Sequence, residues 1–207
     1  EAQDFSSGDD LTGAHLVIGS TDSKLVGPVA TMISAISSET TGGGYSVDSK
    51  LTSGSNVVGI IKVTTPVTTN TNSDGTQVKT AISSFKFYTT INGTASTSLD
   101  SMTIEKVGGS GVSAVATSSN NYFTTNVKST DVDVTPGTTV YYIVRANVSN
   151  VPGGNTASAS FQAKFDALND ASTANVTWKD SSMDSTAAYT TLRINGLNSI
   201  DFPKLNN

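Results

Sequence analysis

The 207-residue sequence contains no cysteine and only one histidine, His15. The chain must therefore reach a stable fold without disulfides. His15 lies beside a short apolar run, and no Gly-x-Ser-x-Gly elbow or matching acid–base partner accompanies it. We expect a protein that is not an enzyme, has no catalytic residue and needs no cofactor.

Charge is also scarce, at 14% of the residues against an ordinary share of about 25%. The net charge is −5, the pI is near 4.6, and no run of three basic residues occurs. This balance excludes nucleic acid as an expected partner. Because no apolar stretch reaches 18 residues, we also expect no membrane insertion.

Hydroxyl side chains replace charge as the source of solubility, since Ser and Thr are abundant throughout the chain. This composition is typical of exported surface proteins. The sequence begins with Glu1 instead of Met, as a processed chain does. We expect an extracellular protein at the cell surface.

Apolar residues alternate with polar ones over long stretches, which indicates half-buried antiparallel strands. The clearest alternations occupy residues 157–167, 140–148 and 85–91, while residues 57–63 are apolar on both faces and suit a central strand. Further short strands are predicted at residues 14–18, 102–107, 112–116, 122–127, 132–134, 176–178 and 189–197. So many short strands separated by turn residues predict an all-β fold, an immunoglobulin-like antiparallel β-sandwich with an N-terminal strand extension.

We interpret residues 1–207 as a single β-sandwich domain, with residues 1–40 as an N-terminal extension or donor strand. Residues 29–36 fit both a helical and a strand spacing, and the strand is favoured. Glycine-rich stretches at residues 108–111 and 152–155 predict hairpin connections.

Residues 134–146 read V-T-P-G-T-T-V-Y-Y-I-V-R-A. This stretch resembles the corner and penultimate strand of fibronectin-type-III and related immunoglobulin-like domains, with its tyrosines Tyr141 and Tyr142 one or two positions later than in that pattern. Together with residues 51–63 and 175–180, it is similar to β-sandwich domains of prokaryotic surface-layer, pilus or filament proteins. The resemblance implies architecture and location, and it implies no chemistry.

Three sites match the N-glycosylation sequon: Asn92-Gly93-Thr94, Asn147-Val148-Ser149 and Asn175-Val176-Thr177. If Val148 and Val176 face the core, strand alternation turns Asn147 and Asn175 toward solvent. Asn92 lies at a strand end. The sequence therefore predicts covalently attached glycans at Asn92, Asn147 and Asn175.

Other chemistry-bearing residues favour structural roles. Carboxylates at Asp131 and Asp133, and further pairs at residues 166 and 170 and at 180 and 184, lack the glycine and terminal glutamate of a calcium loop, so we expect no metal site. Trp178 alternates with Val176 and is expected in the core.

The sequence favours a structural subunit of an extracellular filament or surface layer, a non-covalent homopolymer assembled by donor-strand complementation. The candidate interface residues are Leu16, Ile18, Val29, Ile33 and Ile36. The alternative is a carbohydrate-binding or adhesin module, which requires an exposed aromatic platform that the sequence does not reveal.

Overall fold

A computed structural model describes residues 35–67, 77, 79–119, 121–153, 157–166, 173–180, 189–192 and 198–207. These residues form strands and connecting loops, and none of the described residues is helical. The strands are β1 (Ala35–Glu39), β2 (Thr41–Gly42), β3 (Tyr45–Ser46), β4 (Gly54–Thr64), β5 (Thr80–Asn92), β6 (Ser98–Lys106), β7 (Thr117–Ser119), β8 (Tyr122–Asn126), β9 (Asp133–Val134), β10 (Thr139–Ser149), β11 (Ser160–Phe165), β12 (Thr173–Asp180), β13 (Thr190–Leu192), β14 (Ile200–Asp201) and β15 (Leu205–Asn206).

Two antiparallel sheets carry the fold, which confirms the predicted all-β sandwich. Sheet A has the strand order β1-β4-β10-β6. Sheet B is organised around the long strand β5, which pairs with β8 and β9 on one edge and with β11 and β12 on the other. Strands β14 and β15 extend sheet B from β11, β13 extends it from β12, and β7 from β8. The hairpin β2–β3 forms a separate two-stranded sheet.

The main core lies between the two sheets and draws on both. Alternate residues of β10 and β11 face it, as the sequence predicts: Tyr142, Val144, Ala146 and Val148 from sheet A, and Phe161, Ala163 and Phe165 from sheet B. The rings of Phe85, Phe87 and Phe165 pack together at centroid distances of 5.9 to 6.3 Å. Burial of these aromatic and aliphatic side chains stabilises the fold of a chain that has no disulfides.

Two predicted connections have different outcomes. The turn at residues 108–111 is a hairpin turn, since Glu105 and Val112 form a bridge on either side of it and Gly108 and Gly111 have φ values of 75° and 120°. The connection after β10 is not a hairpin, because β10 belongs to sheet A and β11 to sheet B. Periodicity identifies strands, but it does not show which sheet each strand joins.

Candidate functional site

Strand β1 is the edge of sheet A and the first described element of the chain. It pairs antiparallel with β4, with Ile36 opposite Val63, Ser37 opposite Lys62 and Ser38 opposite Ile61. Among the described residues no strand pairs with its outer edge. The opposite edge of the sheet, at β6, is covered, because the Ser113 and Ala116 amides donate to the carbonyls of Ile104 and Met102 at 2.9 Å.

The side chains of β1 are at most half-buried, whereas most of those of the neighbouring strand β4 are buried. Ile36 packs against the main core, and Ala35 is exposed. Glu39 pairs with Lys62 at 3.3 Å on a partly exposed surface, where an ion pair contributes little. Main-chain pairing to β4 and one apolar side chain therefore hold β1.

Residues 40–51, which we call the clip, follow β1 and are fastened separately. The Val47 amide donates to the Thr40 carbonyl and the Asp48 amide to the Val57 carbonyl, both at 2.9 Å. The Asp48 carboxylate accepts from the Val57 amide at 2.7 Å. The clip thus has hydrogen bonds to β4, through Asp48 and Val57, that do not involve β1.

The clip also covers an apolar patch on the outer face of sheet A. Tyr45 and Val47 pack against the buried residues Val57, Ile60 and Ile143. Arg145 lies over the Tyr45 ring at 5.3 Å and pairs with Glu105 at 3.5 Å. This second small core fixes the clip to β4 and β10.

The C-terminal strands close the sandwich on the side where β1 lies. Phe202 is buried and its ring lies flat against Gly59, since a Cβ built on Gly59 would come within 2.6 Å of the ring. The Leu51 amide donates to the Asn206 carbonyl, and β1 also contacts β14. Removing β1 would open a groove between β4 and β14, bordered by the buried residues Ile61, Val63 and Ile200.

Only one of the five predicted interface residues can be placed. Ile36 lies in β1 with its side chain toward the main core. Leu16, Ile18, Val29 and Ile33 lie outside the described residues. Of residues 29–36 the structure describes Ala35 and Ile36, and both lie in strand β1. Ile36, the residue named in the interface prediction, turns inward, while its neighbour Ala35 is exposed.

The predicted sequons differ in exposure. Asn92 and Asn147 are exposed, and Val148 beside Asn147 is buried as expected. Asn175 is only 5% exposed, so the expectation that it faces solvent is wrong. Strand β12 is buried on both faces here, since Val176 is also buried, and the Asn175 Nδ2 finds no hydrogen-bond partner among the described residues. A glycan at Asn175 requires this segment to open.

The acidic residues near β9 form a polar cluster with lysines. Asp131 is buried and accepts hydrogen bonds from the Ser110 amide at 2.7 Å and the Ser110 hydroxyl at 3.0 Å. Burial opposes its ionisation, but these bonds, Thr130 and the charge of Lys106 together hold the pKa of Asp131 below its ordinary value. Asp133 pairs with Lys79, and Lys106 donates to the Asp133 carbonyl.

Lys106 is the partly buried lysine of this cluster, and burial lowers its pKa while Asp131 and Asp133 oppose that shift. Within the described ranges no group of three or more residues could hold a metal ion. His15 lies outside them. Nor do the described residues contain a helix able to cross a membrane. The cluster's hydrogen bonds tie the 108–111 turn to the segment before β9.

The sequence predicted one of two aromatic features of sheet B and missed the other. Trp178 is half-buried and packs against the main core, close to expectation. Tyr88 and Tyr122, however, form a pair on the outer face of sheet B, with ring centroids 5.1 Å apart and planes at 61°. The strand register creates this pair, because Tyr88 in β5 stands opposite Tyr122 in β8. Alternation within β5 does predict that Tyr88 faces away from Phe87, but not which residue lies beside it.

The tyrosine corner of fibronectin-type-III domains is not reproduced. Tyr142 is fully buried, burial raises the pKa of its hydroxyl, and that hydroxyl has no hydrogen-bond partner among the described residues. Comparison with family models, curated proteins and solved structures finds no match to this chain. The features that bear on function are therefore those of the fold itself, above all the edge strand β1 of sheet A.

Proposed function

We propose that the protein is a structural subunit of an extracellular filament or surface layer, a homopolymer in which β1 of one subunit completes sheet A of the next. The observation that carries this proposal is the position of β1. It is a half-buried edge strand that lies between residues 1–34 and the separately anchored clip. An identical strand from a second copy would make the same contacts with β4.

The position of β1 beside β4 must be filled, either by the chain's own β1 or by that of another copy. Without β1, the edge of β4 from Ile60 to Thr64 would present unpaired main-chain groups, and part of the main core would meet water. Both are unfavourable, so a strand must fill the position. In an extended array the β1 of each subunit pairs with β4 of its neighbour, and the edge of β4 is covered in every subunit that receives a strand.

A hinge at the start of the clip would permit the exchange. The clip's hydrogen bonds begin at Thr40, one residue after β1 ends. Residues 1–39 could leave the parent sandwich without disturbing the clip's contacts with Val57 and Ile60. Exchange of an identical element between copies is a low-cost route to assembly, since the same contacts form again.

The exchange can be tested with two substitutions in β1 that differ only in the face they occupy. Ile36→Asp places a charge against the core, whereas Ser37→Asp places the same charge on the opposite face, next to Lys62. Sedimentation and electron microscopy should show that the Ser37→Asp protein assembles and the Ile36→Asp protein does not. A truncation lacking residues 1–39 should also fail to assemble.

Two outcomes would contradict the proposal. One is a truncated or Ile36→Asp protein that still forms the wild-type polymer, which would place the interface elsewhere. The other is a full chain that stays monomeric at every concentration. That result would favour the second candidate function, a carbohydrate-binding or adhesin module, which is supported by the outward pair of Tyr88 and Tyr122.

Glycosylation belongs to the same proposal. Asn92 and Asn147 are exposed, so attached sugars could project from sheets B and A without displacing core residues. A surface rich in hydroxyl groups and poor in charge is compatible with a glycan coat. Intact-mass measurement of native material should exceed the 21.3 kDa polypeptide by multiples of a sugar mass. A mass equal to the bare chain would remove this part of the proposal.

A further inference from the structure

We infer that the outer face of sheet B around Tyr88 and Tyr122 binds an acidic saccharide. This inference is independent of strand exchange, because the face lies on the sheet that β1 does not join. It starts from the register of three neighbouring strands. Tyr88 of β5 stands between Tyr122 of β8 and Lys164 of β11, and all three point away from the core.

The strand geometry gives this face a size. Adjacent strands are about 4.8 Å apart, so the row from Tyr122 through Tyr88 to Lys164 extends about 10 Å. A second row, two residues along β5, holds Lys86 opposite Thr124. In the other direction Thr90 is exposed. Two aromatic rings, two ammonium groups and hydroxyls thus share one surface.

Aromatic rings and hydroxyls are the groups that recognise sugars. A pyranose ring is amphipathic, with C–H groups on its faces that pack on an aromatic ring and hydroxyls at its rim that need hydrogen-bond partners. Tyr88 and Tyr122 are half-buried, so each is held by its surroundings while part of its ring stays accessible. Thr90 and Thr124 provide hydroxyl partners beside them.

The lysines determine the charge of the ligand. Lys86 lies 4.7 Å from the centroid of the Tyr122 ring and forms no ion pair within the described part of the chain. Lys164 pairs with Asp166 at 3.7 Å. Lys164 also stands opposite Asp201 in the pairing of β11 with β14, so two carboxylates lie close to its charge. Lys86 is therefore the cation of this face with which a sugar carboxylate can pair.

The test uses tetragalacturonic acid as the acidic probe and cellotetraose as the neutral one, with binding measured by titration calorimetry on the full chain. We expect binding of the acidic probe that weakens as salt is raised. Tyr122→Ala should weaken it about tenfold, as loss of a stacking ring does, while Tyr122→Phe keeps the ring and most of the affinity. Lys86→Gln should weaken binding and reduce its salt dependence.

Lys50→Gln is the matched charge control, since Lys50 is exposed and lies in the clip, which packs on the outer face of sheet A. It should leave the affinity unchanged. Near-ultraviolet circular dichroism checks that each variant is folded. The inference is overturned if the wild-type chain does not bind tetragalacturonic acid, if cellotetraose binds as tightly, or if Lys50→Gln weakens binding as much as Lys86→Gln. It is equally overturned if polyglutamate of the same charge binds as tightly as tetragalacturonic acid and its affinity is unchanged by Tyr122→Ala. None of these results bears on assembly.

Discussion

The contact between Gly59 and Phe202 provides a quantitative test of how the C-terminal strands close the sandwich. A Cβ at position 59 would lie 2.6 Å from the Phe202 ring, where an ordinary contact needs 3.4 to 4 Å. The ring is buried and cannot swing into solvent. We expect Gly59→Ala to lower the free energy of unfolding by about 1–3 kcal/mol, the usual cost of overpacking a core.

The matched control is Gly153→Ala. No atom lies within 4 Å of a Cβ built there, and its backbone is not in the left-handed region, so this substitution should be neutral or stabilise by up to about 1 kcal/mol. Urea unfolding followed by Trp178 fluorescence measures both. Adding Phe202→Leu to Gly59→Ala should recover part of the loss, because it removes the ring that clashes. Equal stability of the Gly59→Ala and wild-type chains would refute this packing.

Three further predictions concern polar groups. The pKa of Asp131 is lowered, so its carboxylate stabilises the fold above the ordinary carboxylate pKa of about 4, and this contribution is lost as the pH falls through the folded-state pKa. The free energy of unfolding of Asp131→Asn should therefore fall less steeply at acidic pH than that of the wild type. An unchanged pH profile would contradict this. Tyr142→Phe deletes a buried hydroxyl that has no hydrogen-bond partner among the described residues, so it should leave the melting temperature unchanged or raise it, whereas a marked fall would reveal a hydrogen bond. Peptide mapping of native material should find sugar at Asn92 and Asn147 but not at the buried Asn175, and equal occupancy of all three would show that β12 opens.

The sequence predicted those parts of the fold that depend on local alternation. Phe161, Ala163 and Phe165 face the core because every second residue of an antiparallel strand does, and Val144 and Ala146 follow the same rule. Asn175 is an informative exception. It is buried beside Val176, and burial on both faces of a strand leaves no polar side that alternation could identify.

The sequence could not predict contacts that depend on which strands become neighbours. Tyr88 and Tyr122 are neighbours because β5 pairs with β8. Phe202 contacts Gly59 although the two residues are far apart in the sequence. The clip is similar, since its anchors Asp48 and Tyr45 belong to a short polar stretch without periodicity. Tertiary register decides these contacts, and a single sequence carries no direct signal for it.

Strand exchange is the central claim, and cysteine cross-linking tests it most directly. The chain has no native cysteine, so the double variant Ser37→Cys/Lys62→Cys introduces the only two thiols, at directly opposed positions of β1 and β4. Side chains at such positions are close enough to form a disulfide after small adjustments. On a non-reducing denaturing gel of oxidised, assembled protein, exchange predicts a ladder of covalent oligomers that collapses to monomer on reduction, while each single variant gives at most a dimer. A cross-linked monomer alone would mean that β1 stays with its own β4, and it would contradict the account.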